Sequence, residues 1–452
     1  MLEFDTTSLV RELQLITNNP ATPVHFTWVA QIYINKLKYN PIKVISIDFS
    51  QDYEFKYADE IILTLAISAG MYAVDIYPFK DQIEIVLIRN PINEVANNLN
   101  TELSVQTERY AATLLDKGNP VIEGNTKFTP TKNSLDLSAI FEISFQLVNK
   151  SVQQVRLINV GCIYRNALAG DVIKTIMTNE SKKIKVDGSR LPIGVSMVPG
   201  YNTKIRDHVI IPQGTRLVDV PEYVHVKCGG IYPSGFGYYM QGDYWYIYPC
   251  YDTNRIDKSG NILTIINVPP HKYPSIERTY RKNGKNVVIL ATGEVSYRDD
   301  SEVQQLNAGN GVRFSIADNY MTTFGSTTNN ITTINRGSNN NEVIAIPRVN
   351  KLNNAPVSDI PINSNPFLEY SKLARRNGAV ITLVWENSLP SLITPGAMVK
   401  IMYINNDKIN TVNGIILKAH HFVSMREIGV VSTRYITKSA LFIFCDIIKI
   451  GD

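Results

Sequence analysis

The stretch VHFTWVAQIYINKLKYNPIKVISIDFSQDYEF (24–55), with the segments after it, leaves this part of the chain little room for helices. Val, Ile, Tyr, Phe and Trp crowd it, and Asn40-Pro41 and Gln51-Asp52 interrupt it. β-Branched and aromatic residues between turn formers mark strands. EIILTLAIS (60–68) follows with partial alternation, and DQIEIVLIR (81–89) sets Ile83, Ile85 and Leu87 on one face. Strands this closely spaced, with no long helix between them, predict an antiparallel barrel or sandwich.

At 452 residues the chain has length for two to four domains, and 44% hydrophobic with 19% charged residues is enough to bury a real core. The net charge is +4, with Lys and Arg dispersed, so nucleic acid is not the expected main ligand. Cys162, Cys228, Cys250 and Cys445 form no CxxC and no Cys/His ligand set, and are read as buried, reduced thiols. MLEFDTTSLV is acidic where a secretory signal needs positive charge, and no apolar run approaches the roughly 18 residues of a membrane span. The expectation is a soluble protein made in a cytoplasm, with no stable membrane association.

A boundary is expected in LLDKGNPVIEGNTKFTPTKNS (114–134), rich in Gly, Pro, Asn and Thr. Beyond it, residues 168–184 show a helical pattern with Val172, Ile173 and Ile176 on one face, Asp171 in the first turn and Lys182 and Lys183 in the last. In GGIYPSGFGYYMQGDYWYIYPCYDTNRI (229–256), FGYYM and YWYIY flank Gln241-Gly242-Asp243, which predicts a β-hairpin. Alternation puts Tyr244, Tyr246 and Tyr248 on one face and Trp245 with Ile247 on the other. FGSTTNNITTINRGSNNNE (324–342) is polar and is read as an exposed, mobile loop, with loop-like sequence continuing to 366. The final segment is a run of strands with turns at Pro395-Gly396, Asn405-Asn406-Asp407 and Asn413-Gly414, long enough to close a second barrel.

Catalytic signatures are absent from the sequence. His420 and His421 are neighbours that a strand would point to opposite faces, and no HExxH or HxH accompanies them. There is no GxSxG elbow, no phosphate loop and no GxGxxG opening a helix. Asp48/Asp52 and Asp299/Asp300 are acidic pairs of the kind expected by coincidence among 41 acidic residues. No enzyme activity, cofactor or metal is expected.

Three segments carry a family resemblance: DYEFKYADEIILTLAISAGMYAVDIYPFKDQIEIVLIR (52–89), LDLSAIFEISFQLVNKSVQQVRLINVGCIYRNALAGDVIKTIM (135–177) and IIPQGTRLVDVPEYVHVKCGGIYPSGFGYYMQGDYWYIYPCYDTNRI (210–256). In order and type they resemble the hub proteins of phage tail baseplates, and LITPGAMVKIMYINN resembles the strand opening the hub's second barrel. The resemblance implies a mainly β subunit with two small antiparallel β-barrels flanking a mixed α/β region. The expected division is a first β-barrel domain over 1–120, an α/β insert with the aromatic hairpin over 128–262, and a second β-barrel over 263–452 with a polar Asn-rich loop at 324–366.

It also implies a structural virion protein, assembled in the host cytoplasm. Three subunits would form a ring joining a sixfold tail tube to a threefold central spike. Its partners would be a homotrimer, the spike, the tube, and baseplate wedge or tape measure proteins, with DNA only in transit through the lumen. The hairpin then has a use: Tyr238, Tyr239, Tyr244, Trp245, Tyr246 and Tyr248 are candidate interface residues, because Tyr and Trp combine large area with a polar group. Packing wholly within the subunit is the competing use of the same rings. A different function would be a carbohydrate- or receptor-binding tail module using 236–248 as its platform. A cell-wall hydrolase fused to a tail protein would need a catalytic segment, and no part of the sequence is left over for one.

Overall fold

Alternation along the first half resolves into antiparallel strands. The computed structural model describes residues 6–17, 25–92, 105–115, 139–186, 190–258, 262–293 apart from 275, 277 and 285, 312–319, 323–327, 341–345, 367–376, 378–405, 408–425 and 434–446. After a helix α1 (Thr6–Thr17) come β1 (Phe26–Ile34), β2 (Leu37–Tyr39), β3 (Lys43–Asp52), β4 (Glu60–Ser68), β5 (Ile83–Pro91), β6 (Gln106–Leu115) and β7 (Ile140–Asn149). In β5 the inward set is Ile83, Ile85 and Leu87, each no more than 3% exposed, as the period-two pattern requires.

These strands cannot close a ring alone. Two long strands from the end of the chain, β21 (Lys408–Met425) and β22 (Tyr435–Asp446), supply the missing staves. The circuit runs β1, β5, β6, β7, β4, β3, β21, β22 and back to β1 through Phe26 and Tyr435, antiparallel at every step. Ile32, Leu63, Leu65, Ile85 and Phe145 fill it with no exposed surface.

The other halves of β21 and β22 belong to a second ring. It is made with β13 (Ile262–Asn267), β15 (Asn286–Ala291), β19 (Gly378–Trp385) and β20 (Met398–Asn405), while β14 (Tyr280–Asn283) extends β15. Paired backbone bonds of 2.9 and 2.7 Å between Thr292 and Val384 close this circuit. The first ring is antiparallel as expected; in the second, β13 runs parallel to both β15 and β20. Trp385, Leu383, Ile265 and Ile443 are sealed in the second ring's core. Outside it, Ile16 of α1 packs on Ile266, Leu290 and Met402, and Glu12 pairs with Arg281 at 2.7 Å.

Two turn readings change. Asn413-Gly414 lies inside β21, which continues unbroken past it. A Cβ on Gly414 would lie 2.6 Å from Ile443 Cγ2 and 2.7 Å from the Phe444 carbonyl, so this glycine permits close backbone approach instead of a turn. Of the sequence read as loop over 324–366, residues 324–327 and 341–345 are strand: they belong to β17 (Thr323–Thr327) and β18 (Asn341–Ala345), which pair with β16 (Val312–Asn319) in a separate sheet. Threonine, valine and isoleucine favour extended backbone even in a polar sequence. Residues 328–340 and 346–366 lie outside the described residues, as does Asn406-Asp407.

The insert follows β7 in the chain and folds around a core of its own. Asn149 caps helix α2 (Lys150–Leu157), its Oδ1 accepting from the Ser151 amide at 2.8 Å. Strand β8 (Asn159–Ala167) leads to α3 (Ala169–Ser181), whose Val172, Ile173, Ile176 and Met177 are buried. Next are β9 (Gly194–Met197), β10 (Arg206–Arg216), paired with β8, and helix α4 (Val220–Lys227). Strands β11 (Gly237–Gln241) and β12 (Tyr244–Tyr248) form the expected hairpin, with Gly242 at φ +58° in its two-residue turn.

Because β21 and β22 are common to both rings, their stabilities are linked. Leu63→Ala in the first ring should cost about 2–5 kcal/mol. Amides of β20, which belongs only to the second ring, should then exchange faster with deuterium by a comparable factor. Unchanged exchange in β20 would mean that the rings unfold separately.

Candidate functional site

The aromatic hairpin is a partition. Trp245, Ile247 and Met240 face the insert and are each 7% exposed or less, with the Trp245 indole N–H donating to Ser181 Oγ at 3.1 Å. Half-buried Tyr238 packs against the same core. Tyr239 and Tyr248 face the second ring's core: the Tyr248 hydroxyl donates to the Tyr53 carbonyl at 2.8 Å, and Tyr239 meets Tyr53 edge-on at 4.8 Å. The turn at Pro395-Gly396 accommodates this packing, since Gly396 sits at φ +64° and a Cβ there would be 2.2 Å from the Tyr248 ring. Tyr246 is half-buried against the same core, and Tyr244 is 43% exposed. Of the six candidate rings, the chain itself closes off Tyr239, Trp245 and Tyr248, and Tyr244 keeps the largest free face.

At the seam of the two rings lies a chain of buried polar groups. The Ser388 and Ser439 hydroxyls are 2.5 Å apart, and Ser439 Oγ lies 2.7 Å from His421 Nδ1. His421 Nε2 is 3.1 Å from Gln51 Oε1, which also accepts from the Tyr53 hydroxyl at 2.5 Å. Gln51 Nε2 donates to Asp59 Oδ1 at 3.0 Å, where the Tyr239 hydroxyl donates at 2.6 Å. An amide oxygen only accepts, so Nε2 carries the imidazole proton and Nδ1 accepts from Ser439. Burial, with nearby His420 adding, drives the His421 pKa down to about 3.

Ser439 beside His421 imitates a nucleophile and its base. Ser439 is wholly buried, however, and a neutral amide instead of a carboxylate holds the far nitrogen, so a charged imidazolium would have no counter-ion there. The pair's chemistry is structural. His420 points away, as expected for strand neighbours, and bonds Asp48 at 2.6 Å. Asp52 pairs with Lys418 at 2.8 Å; Asp299 and Asp300 lie outside the described residues. Among the described residues no group of three or more His, Cys, Asp or Glu could hold a metal, and no helix is long and apolar enough to cross a membrane. Cys250 and Cys445 are buried, and Cys162 and Cys228 half-buried, all four as free thiols.

The polar chain borders a cleft of about 400 Å³ at the mouth of the first ring, roofed by the hairpin turn and by residues 388–394. Trp28, Phe49, Tyr244 and Tyr246 supply rings, and Asp59 and Glu108 supply carboxyls. Desolvation pushes both carboxyls up; the hydrogen bonds from Tyr239 and Gln51 oppose this at Asp59, and Arg190, 3.0 Å away, opposes it at Glu108. Sequence reading missed Gln51, Asp59 and Glu108, which have no motif; His421 stood out only as half of a pair.

No family model and no curated protein matches the chain. Among solved structures it is similar to the 43 kDa tail protein of prophage MuSo2 from Shewanella oneidensis, at 9% identity over 91% of this chain and 96% of that one, TM-score 0.42. It is also similar to a Francisella PdpA-VgrG complex, at 13% identity over 98% of this chain and 56% of that one, TM-score 0.38. A third likeness is to an E. coli type VI secretion component described as structurally similar to T4 bacteriophage tail proteins, at 10% identity over 90% and 76%, TM-score 0.37.

Trp245→Ala should cost about 3–5 kcal/mol by emptying the insert core, whereas Tyr244→Ala should stay within about 0.5 kcal/mol; thermal melting compares them. His421, and His225 with its pKa lowered by burial to about 4, stay neutral in the fold. Unfolded imidazoles take up protons below about pH 6.5, so stability falls as pH drops from there towards 4. Asp59 and Glu108, raised by burial, act in the opposite direction. His421→Gln should remove about 2–3 kcal/mol of the acid-induced loss by pH 4.5, narrowing the gap between melting temperatures at pH 7 and pH 4.5.

Proposed function

We propose that this chain is a structural subunit of a phage tail baseplate, a hub that works by assembly and makes or breaks no bond. The observation that carries the reading is the joining of two strand rings in one chain through β21 and β22. Three copies of such a chain present six rings, which suits a ring matched to a sixfold tube on one side and a threefold spike on the other. The three segments that resemble hub proteins fall in the first ring, the insert and the hairpin, in the order the family implies. The division into 1–120, 128–262 and 263–452 belongs to this reading, with the last part also lending two staves to the first ring.

In the assembled virion the tail tube, the central spike and wedge or tape measure proteins are its partners, and DNA passes through the lumen. The rings of the hairpin serve assembly indirectly. Tyr239 and Tyr248 fix the second ring on one side, and Trp245 fixes the insert on the other. A subunit that spaces other proteins must be stiff, and a hairpin anchored in two cores is stiff.

Light scattering on the purified full chain, alone and with the phage's spike protein, tests the proposal. The expected result is three times the chain mass, or a 3:3 complex with the spike. A strict monomer that ignores the spike overturns it.

A further inference from the structure

The lining of the cleft at the mouth of the first ring has a definite chemistry. Three carboxylates, Asp59, Glu108 and Asp243, are matched by three guanidiniums, Arg89, Arg156 and Arg190, and His421 adds no charge because it is neutral. A balanced lining gives neither a phosphate nor a polyamine an electrostatic reason to enter. Flat ring faces stand beside these groups: Trp28 with Phe49 at 6.1 Å, and Tyr244 with Tyr246 at 6.4 Å at the hairpin turn. The volume of about 400 Å³ suits a small organic ligand, and barrel mouths are common places for one.

Polar groups in the lining have capacity left. Gln51 Nε2 and the Tyr239 hydroxyl both donate to Asp59 Oδ1, which leaves Oδ2 to accept. The Ser391 hydroxyl is buried and has no hydrogen-bond partner among the described residues. Glu108 is held rigid by Arg190 at 3.0 Å and by the Asn149 amide at 3.3 Å. The cleft thus offers acceptors, a hydroxyl and aromatic faces, with no net charge. A pyranose has this pattern in complement: hydroxyls at its edge that donate to carboxylates, and C–H faces that lie on rings.

We propose that this cleft is a binding site for a neutral saccharide unit, with Asp59 taking sugar hydroxyls and Trp28 and Tyr244 packing its faces. It differs from a surface platform along the hairpin, because Tyr239, Trp245 and Tyr248 are buried and the hairpin reaches the cleft with its turn, Tyr244 and Tyr246. The inference does not depend on the hub reading. A trimer that binds no sugar would lose only the saccharide site, and a sugar-binding monomer would lose only the hub.

The experiment is calorimetric titration of the full chain with methyl α-glucoside, methyl β-galactoside and N-acetylglucosamine, with tryptophan fluorescence read in parallel. Trp245 and Trp385 are buried, so Trp28 is the tryptophan positioned to respond. At least one sugar should bind with a Kd on the order of 1 mM, which is about 4 kcal/mol. Asp59→Asn and Tyr244→Ala should each weaken it about tenfold, or 1.4 kcal/mol. Trp28→Phe should abolish the fluorescence change while heat of binding remains. Should Asp59→Asn fail to fold, exposed Tyr244→Ala carries the test. Absence of heat and fluorescence change with all three sugars up to about fifty times that concentration overturns the proposal, as does binding that Tyr244→Ala leaves unchanged.

Discussion

Two strands decide this structure. β21 and β22 are long enough to serve as staves in two rings at once, pairing with β3 and β1 at one end and with β20 and β19 at the other. Neither ring is complete without them. The first lacks a connection between β3 and β1, and the second lacks one between β20 and β19. Backbone groups left unpaired along those gaps would cost more than the strands gain in freedom, so the rings close around a common pair. Their relative position is then set by covalent geometry and ladder register, which is far stiffer than a linker between domains.

A shared strand pair also creates a problem at the seam. Where one core ends and the other begins, inward-facing positions belong to neither ring, and an apolar side chain there would pack poorly on both sides. The sequence places His421, Ser439, Gln51 and Ser388 at this level and satisfies them with one another. Each buried group has a partner, so the seam avoids the penalty of an orphaned donor or acceptor. Tyr239 ties the seam to the hairpin through Asp59, and the hairpin in turn separates the second ring from the insert. The cleft forms where these three parts meet without filling the space between them.

How far this was legible from residues alone depends on range. Local patterns read well: Ile83, Ile85 and Leu87 in β5, the helix over Ala169–Ser181, and the turn at Gly242 all follow from a few neighbouring side chains. Gly414 misled because a glycine after an asparagine is a turn signal locally, whereas here the constraint is Ile443 and Phe444 across the ladder. The strands at Thr323–Thr327 and Asn341–Ala345 were hidden by polar composition, which reports burial rather than backbone shape. Least legible was the polar seam. Gln51 meets His421 across 370 positions of sequence, and no periodicity or spacing rule can bring such residues together before the strand order is known.

In the proposed trimer, the six rings would come from three chains in which the two rings of each chain are unlike. Among the described residues the first circuit has eight antiparallel staves and the second six, with parallel pairs around β13. Equal spacing around a sixfold tube therefore cannot come from repeating one ring twice. It has to come from how the two unlike rings are held, and the holding element is the strand pair common to both. A flexible linker would let each ring settle independently and would lose the spacing. Strands locked by ladder bonds, with a satisfied polar seam at their centre and an aromatic partition beside them, would keep it. The proposed spacing function would demand stiffness and a fixed angle between two dissimilar rings, which a shared strand pair provides.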